Sequence, residues 1–308
     1  ERGLSWQKTN QRILSLRKKR SAADLTFDII NTAVMLGLIV VTFYPIWYVA
    51  CASLSSSAAV TQNPGRLLWP EGFTIGAYVK AFQHPLILSG FRNILFILLC
   101  SLPLNLVMTL LCGYFMAAKD VLLKKYVVAF LVFTMFFSGG LIPAYLNQKS
   151  LGLYNNLWAL IIPGALSIYN AIICRTAVES VPDSLIESAY IDGANDYTVL
   201  FKIITPLIKP TLAVLALYYG VGHWNSWFNA SLYITDNELL PIQNILRAIL
   251  IVNNDMLNQG AASMDSIDTY AETIKYAVIV IATLPILCVY PFLQKYFVKG
   301  VMIGAVKG

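Results

Sequence analysis

NILFILLCSLPLNLVMTLLCGYFMAA, residues 93–118, contains no Asp, Glu, Lys or Arg and is long enough to cross a bilayer as one helix. A hydrocarbon core about 30 Å thick requires about 20 apolar residues in helical conformation. Five further uncharged runs of 18 or more residues lie at 29–65, 126–148, 150–174, 210–235 and 276–294. The sequence therefore predicts an all-α integral membrane protein with six transmembrane helices.

The composition supports this class and excludes others. Of the 308 residues, 57% are hydrophobic and 12% are charged, and the mean hydropathy is +0.65. A soluble domain has about 25% charged residues, so a water-soluble enzyme, a nucleic-acid-binding module and a disordered regulator are excluded. The first apolar run, from Ile29, is too long for the hydrophobic region of a signal peptide and is expected to be the first span.

The cysteines are expected to act as small apolar residues. They lie in or beside the apolar runs, without the CxxC or Cys/His spacing of a metal site or a disulfide framework. They are Cys51, Cys100, Cys112, Cys174 and Cys288. No metal site is therefore predicted.

Lys and Arg residues are distributed unequally between the two sides that six spans create. Alternate placement puts 16 of the 22 on the side that holds both termini and six on the other. The positive-inside rule places the first side, and therefore the N and C termini, in the cytoplasm. The net charge of +6 is then a topology signal and does not indicate nucleic-acid binding.

This topology divides the chain into three parts. A basic cytoplasmic tail (1–25) precedes a six-span domain (26–297), and a short cytoplasmic tail (298–308) follows. The six-span domain contains long extracytoplasmic segments at 51–90 and 236–274 and a large cytoplasmic loop at 179–209. Pro and Gly interrupt several predicted spans, as is common in transporters and in membrane helices generally. They are Pro103, Gly139, Gly140, Pro143, Pro163, Gly164, Pro285 and Pro291.

The cytoplasmic loop has helical signals of its own in the stretch PDSLIESAYIDGANDYTVLFKIITPLIKP, residues 182–210. Pro182 suits a first helical position. Gly193 offers the positive φ that reverses the chain, and Asn195 or Asp196 can cap a following helix. The stretch therefore predicts a helix, a tight turn and a second helix on the cytoplasmic face.

This stretch resembles the EAA loop of permease subunits in bacterial binding-protein-dependent ABC importers. The pattern there is roughly EAA, two residues, DGA, and then Phe, Ile and Pro at set offsets. The matching residues are Glu187, Ala189, Asp192, Gly193, Ala194, Phe201, Ile204, Pro206 and Pro210, while Ser188 replaces the middle Ala and Thr205 the usual Leu. The stretches 140–152, 222–230 and 299–308 are similar to maltose-type carbohydrate permeases, and most of all to a subgroup that serves complex oligosaccharides.

The resemblance implies a type I ABC importer permease fold in the bacterial cytoplasmic membrane. It implies these partners: a second homologous permease subunit, two ATPase subunits that bind ATP and Mg, and an extracytoplasmic solute-binding protein. The loop would be a coupling helix that docks in a cleft of the ATPase, and the C-terminal tail would also reach the ATPase pair. The coupling residues would be Glu187, Ser188, Ala189, Asp192, Gly193 and Ala194. The alternative is a loop helix that rests on the bilayer surface.

No catalytic motif accompanies this loop. The chain has no G-x-x-x-x-G-K-[ST] and no HExxH motif, and its histidines are His84 and His223. A P-loop is what cradles nucleotide phosphates, so this chain is expected to hold no cofactor, and ATP would be hydrolysed by another polypeptide. His223 is expected to be a hydrogen-bonded packing residue, because none of the six runs contains the carboxylate of a proton-driven carrier.

Polar side chains occur within the predicted fifth span, in the stretch YYGVGHWNSWFNAS at 218–231. Amides in mid-membrane are costly unless they face a cavity or another helix. Continuous helical spacing would put Gly222, Asn225 and Asn229 on one face. Aromatic rings can stack on sugars and amides can bond sugar hydroxyls, so the candidates for the substrate pathway are Tyr218, Trp224, Asn225, Trp227 and Asn229. The alternatives are an interfacial aromatic belt and contacts between helices.

The second extracytoplasmic segment contains LLPIQNILRAIL at 239–250, whose apolar spacing predicts a short amphipathic helix. By resemblance, part of this segment would contact the binding protein, and the alternative is a solvated cap over the pathway. The function implied is that of a non-catalytic permease subunit for oligosaccharides. A secondary carrier or channel for a polar solute, and a membrane enzyme acting on lipid-linked sugars, are the alternatives.

Overall fold

The computed structural model describes residues 22–119, 121–258 and 271–305, and all regular elements in these ranges are helices. Most of the basic tail, the segment 259–270 and the last three residues of the C-terminal tail lie outside the described residues. The helices are α1 (Ala22–Ser53), α2 (Ser57–Gln62), α3 (Gly76–Gln83), α4 (Pro85–Ala117), α5 (Lys124–Phe136), α6 (Leu141–Ser150), α7 (Ile168–Glu179), α8 (Asp183–Ile191), α9 (Asp196–Leu207), α10 (Lys209–Trp224), α11 (Trp227–Tyr233), α12 (Ile242–Asn258) and α13 (Ala271–Ala305), with short 3₁₀ turns at Leu157–Leu160 and Asn237–Leu239.

Helices long and apolar enough to cross a membrane are α1 and α4, within the described ranges. Two further pairs qualify if each bent pair is one span: α5 with α6, which meet at 113°, and α9 with α10, which meet at 84°. Length and composition therefore support up to four spans in the part of the chain that the structure describes.

Four of the six uncharged runs are not continuous helices: in the run 29–65 the helix ends at Ser53, and the other three break within predicted spans. The run 126–148 breaks between α5 and α6, where Gly140 has a φ of +89° that favours glycine. The run 150–174 begins with a turn and a 3₁₀ element and becomes helical only at Ile168, beyond Pro163. The run 210–235 breaks after Trp224. Two of these breaks lie at the predicted Gly and Pro interruptions, Gly140 and Pro163, whereas the break after Trp224 was not predicted.

Helix α4 is the centre of the described bundle, and glycines bring two other helices close to it. A Cβ at Gly113 would lie 2.9 Å from both Cβ and Sγ of Cys174 on α7. A Cβ at Gly90 would lie 2.5 Å from Cδ1 of Ile245 and 3.0 Å from Cα of Ile242, at the start of α12. Small residues permit such close backbone approach in membrane helices.

Buried apolar clusters occupy both ends of α4. The first half of the helix packs against α12 and α13, in a cluster that includes Ile94, Ile245 and Val278. The second half packs against α7 to α10, in a cluster that includes Leu110 and Leu200. By contrast, the apolar residues of α1 are largely exposed in this single chain. The apolar face of the predicted amphipathic helix, now α12, is buried in the protein.

Candidate functional site

The helix–turn–helix loop (183–207) has the structure that its sequence predicts. Helix α8 begins at Asp183, so Pro182 occupies the cap position and not the first helical position as predicted. The turn residue Gly193 has a φ of +83°. Its conformation is the left-handed one predicted, which a residue with a side chain rarely adopts.

Two backbone hydrogen bonds close the end of α8. Gly193 N–H donates to the carbonyl oxygen of Tyr190 (3.0 Å), and Ala194 N–H donates to that of Ala189 (2.9 Å). This pair of bonds is the Schellman motif, which requires a left-handed residue between its two arms. Ala189 is buried and Ala194 packs against the same cluster, which supplies the apolar contact that accompanies the motif.

The second helix is capped by Asn195 and not by Asp196. The side-chain oxygen of Asn195 accepts a hydrogen bond from Thr198 N–H at 2.9 Å. Asp196 instead accepts from the hydroxyl of Tyr190 (2.6 Å) and, at 3.4 Å, from that of Tyr114 on α4. The bond to Asp196 raises the pKa of Tyr190, so its hydroxyl remains a donor at neutral pH. This network ties the loop to the end of α4.

One face of the loop is part of the buried core. Val199, Leu200 and Ile204 are buried against Leu110 of α4 and Leu215 of α10. Such an interior is close-packed and transmits displacement. A force applied to the loop would therefore reach α4 and α10 directly.

The opposite face carries the remaining predicted coupling residues. Glu187, Ser188, Asp192 and Gly193 are exposed, whereas Ala189 and Ala194 face the core. Large apolar side chains lie beside the exposed residues: Ile191 is 86% exposed and Tyr197 is 71% exposed. An exposed apolar patch rimmed by polar residues is typical of a protein interaction site.

The predicted pathway residues do not lie on one continuous helix. Helix α10 ends at Trp224 and α11 begins at Trp227. The amide of Asn225 donates to the carbonyl oxygen of Val221 at 3.0 Å, and Trp227 N–H turns back to the carbonyl oxygen of Asn225 at 2.8 Å. Asn competes in this way with helical hydrogen bonds. The expected common face of Gly222, Asn225 and Asn229 is therefore wrong.

The break opens onto a cavity of about 280 Å³, the Trp227 cavity. Three of the predicted residues, Trp224, Asn225 and Trp227, line it. Tyr218 and Asn229 are exposed and do not line it. Its other polar lining residues are Gln243 and Arg247 of α12 and Thr283 of α13, which sequence reasoning missed. The amphipathic pattern of 239–250, with one cation on its polar face, was the signal that could have indicated Arg247.

The three predicted residues differ in how far they face the Trp227 cavity. Trp224 is only 6% exposed, and its indole N–H donates to the carbonyl oxygen of Ala282 at 3.2 Å. Asn225 is exposed. Trp227 has one ring face covered by Arg247, whose guanidinium carbon lies 3.6 Å from the ring centroid. The sequence expectation of freely stacking Trp rings therefore applies only in part.

Trp224→Ala and Asn225→Ala are expected to have different effects. Trp224→Ala should lower the free energy of unfolding by about 3–5 kcal/mol, because it removes a large buried ring. Asn225→Ala should leave the melting temperature nearly unchanged and alter sugar-dependent transport, because its exposed amide adjoins the cavity. Melting temperature and substrate-stimulated ATPase activity, measured on the same detergent preparations, separate the two. Equal loss of stability in both variants would show that Asn225 is a packing residue.

His223 is hydrogen-bonded between helices, as predicted. Its Nε2 lies 3.2 Å from Oδ1 of Asn105, and the amide nitrogen of Asn105 donates to the carbonyl oxygen of Gly164 at 2.6 Å. Because Oδ1 can only accept, Nε2 carries the proton in this arrangement. His223 thus joins α10 to α4 and to the turn before α7. No group of three or more His, Cys, Asp or Glu in the described ranges could hold a metal ion.

Comparison with known proteins finds relatives that match more than nine-tenths of this chain. The chain is 39% identical over 286 residues to protein LplC of Bacillus subtilis, with 93% of this chain and 96% of that protein covered. It is 37% identical over 282 residues to the polygalacturonan/rhamnogalacturonan transport system permease protein YtcP of the same organism, covering 92% and 98%.

The fold also matches a solved structure, that of a bacterial ABC transporter involved in the import of the acidic polysaccharide alginate. The TM-score is 0.81 at 30% identity, with 90% of this chain and 98% of that chain covered. Residues 72–303 match the family model described as binding-protein-dependent transport system inner membrane component. The chain therefore belongs to this family and is a non-catalytic permease subunit of an ABC importer.

Proposed function

We propose that this chain is one of two homologous permease subunits of an ATP-driven importer, and that it translocates oligosaccharides across the bacterial cytoplasmic membrane. The observation that carries the proposal is the helix–turn–helix loop, which has a buried face joined to α4 and α10 and an exposed face with Ile191 and Tyr197. A secondary carrier has no ATPase subunit for such a loop to contact.

The exposed face of the loop is the proposed docking surface for an ATPase subunit. Glu187 and Asp192 supply charge, and the neighbouring apolar side chains supply the area that stable contact requires. ATP and Mg would be bound by the ATPase pair, since this chain has no P-loop motif. Closure of the ATPases would push on the loop, and the loop would move α4 and α10 with it.

We also propose that the chain has six spans and that both termini lie in the cytoplasm. The bent pair α5–α6 would form one interrupted span, α7, α10 and α13 would contribute the others beside α1 and α4, and α9 would stay in the cytoplasmic loop. Helix α1 would contact lipid or a second permease subunit, because its apolar side chains are exposed along most of its length in this single chain. Exposed apolar surface of that extent is stable only against lipid or protein.

The substrate class rests on the relatives together with the Trp227 cavity. One named relative transports polygalacturonan or rhamnogalacturonan, and an arabinooligosaccharide transport permease of Halalkalibacterium halodurans is 24% identical to this chain over 293 residues. The cavity supplies the aromatic, amide and hydroxyl groups that a sugar needs. Delivery would come from an extracytoplasmic solute-binding protein, and the segment 236–274, which contains α12, is the proposed contact for it.

Purification of the tagged chain in detergent, expressed with its neighbouring transport genes, tests this function. The expected complex contains a second permease and two ATPase chains, and its ATPase activity rises when a sugar-loaded binding protein is added. Recovery of the chain only as a homo-oligomer that catalyses proton-coupled uptake would contradict the proposal.

A further inference from the structure

Arg247 is the only ionisable side chain among the described residues that line the Trp227 cavity. The other lining residues are apolar, aromatic, amide or hydroxyl side chains. Arg247 is exposed, so its N–H donors are accessible to a ligand in the cavity. No acidic side chain in the described ranges forms an ion pair with it.

The guanidinium is held through its face. Its central carbon lies 3.6 Å from the centroid of the Trp227 ring, in the geometry of a close cation–π contact. A stacked guanidinium keeps the N–H groups at its edge available, and these form a fork that matches a carboxylate. The stacking therefore positions the cation and leaves its donors open to a ligand in the cavity.

A buried amide fixes the register between Arg247 and Trp227. The side chain of Asn244, on the preceding turn of α12, donates to the carbonyl oxygen of Trp227 at 2.9 Å and to Oγ of Ser231 at 2.8 Å. Asn244 is itself buried. These bonds attach α12 to α11 beside the cavity, so the charged group and the ring are built into one site.

Further polar groups surround this cation. Asn225 and Gln243 bring amides to the cavity wall, and Thr283 of α13 brings a hydroxyl. Together the wall offers one fixed cation, part of an aromatic surface and neutral hydrogen-bonding groups. That combination fits a sugar ring that carries a carboxylate better than a neutral ring, because only the carboxylate can form a charge-assisted pair with the guanidinium.

We propose that Arg247, stacked on Trp227, is a carboxylate-recognition site and that the transported oligosaccharide contains uronic acid residues. This inference rests on the proposed function. Two similar transporters handle acidic polymers, alginate and polygalacturonan, whereas the arabinooligosaccharides of a more distant permease carry no carboxylate. The cavity supplies the reason to choose the acidic class.

The test uses the complete transport complex with its binding protein in proteoliposomes. Uptake is measured for oligogalacturonate and oligoalginate, each compared with its fully methyl-esterified form, which keeps the rings and removes the charge. Arg247→Gln removes the cation, and Arg247→Lys keeps the charge without the planar fork. Arg66→Gln is the matched control, because Arg66 is an exposed cation outside the cavity.

Arg247→Gln is expected to raise the KM for an acidic oligosaccharide about tenfold or more, since a hydrogen-bonded charge pair is lost. The KM for the ester should change little, Arg247→Lys should be intermediate, and Arg66→Gln should match the wild type. The binding protein is the same throughout, so its own preference cancels in the ratio of the two effects.

Three results would overturn the inference while leaving the proposed function intact. The first is an equal loss for acid and ester, which would assign Arg247 to assembly or to an acid on another subunit. The second is an unchanged KM of the Arg247→Gln complex for both the acidic oligosaccharide and its ester. The third is a wild type that imports neutral oligosaccharides and rejects both acids. A wild-type complex that imports no oligosaccharide would overturn the proposed function as well.

Discussion

Gly193→Val is expected to reduce transport at least tenfold while the chain still inserts into the membrane. Gly193 has a φ of +83°, and a Cβ there meets no atom within 4 Å, so the penalty comes from the backbone alone. A β-branched residue in this region costs about 1–3 kcal/mol. The strain would open the Schellman turn and misplace α8 against the ATPase. Binding-protein-stimulated ATPase activity and uptake in proteoliposomes are the measurements.

Gly193→Asn is the control for this experiment. Asn tolerates the left-handed conformation better than other residues with side chains, so this variant should keep most of the transport activity. A second variant, Glu187→Ala, removes an exposed acid without backbone strain and should also weaken coupling. Near-normal transport by Gly193→Val, or by Glu187→Ala, would reject the assignment of the loop as the coupling element.

Gly90→Ala is expected to destabilise the protein by about 1–3 kcal/mol, the typical cost of overpacking. Its Cβ would lie 2.5 Å from Cδ1 of Ile245, and 3.0 Å and 3.1 Å from Cα and N of Ile242. A flexible side chain can move, but backbone atoms can give way only if α12 shifts from α4. That shift would displace Arg247 and the cavity, so uptake should fall together with the melting temperature in detergent.

Gly220→Ala is the matched control, and it is expected to stabilise the protein slightly. The new Cβ would make only an ordinary contact, 3.8 Å from Cδ2 of Leu102. A Gly→Ala change inside a helix without steric conflict stabilises it by up to about 1 kcal/mol. Gly90→Ala with a melting temperature equal to or above that of Gly220→Ala would contradict the close packing of α12 on α4.

The two sites occupy opposite ends of the same helix. The Trp227 cavity adjoins the cluster on the first half of α4, and the helix–turn–helix loop packs against its second half. Glycines bring α12 and α7 onto this helix at Gly90 and Gly113. Helix α4 is therefore the element through which a displacement of the loop could reach the cavity.

Local features could be predicted where a few neighbouring residues are sufficient. Gly193 was expected at a positive φ and Asn195 was one of two expected caps, because a turn and an N-cap depend on adjacent side chains and backbone groups. The amphipathic helix over 239–250 was also found, beginning at Ile242. Each of these features forms with little help from distant parts of the chain.

The substrate cavity was predicted only in part. The stretch 218–231 was interpreted at continuous helical spacing, whereas α10 ends at Trp224 and the amide of Asn225 bonds the carbonyl oxygen of Val221. Asn244 then attaches the following helix to α12. Arg247 was not predicted as a site residue, because it is distant in sequence from the aromatic stretch and only packing brings it onto Trp227.

The amino-acid sequence alone was sufficient for the class of the protein, for its relationship to importer permeases and for the turn at Gly193. Apolar length, charge distribution and local backbone preference carry these properties, and none of them needs contacts between distant segments. Packing between distant segments was required to show that α12 is buried against Gly90, that Trp224 is mainly a packing residue and that Arg247 enters the cavity. These features depend on which surfaces meet, and side-chain periodicity within one segment does not specify its partner.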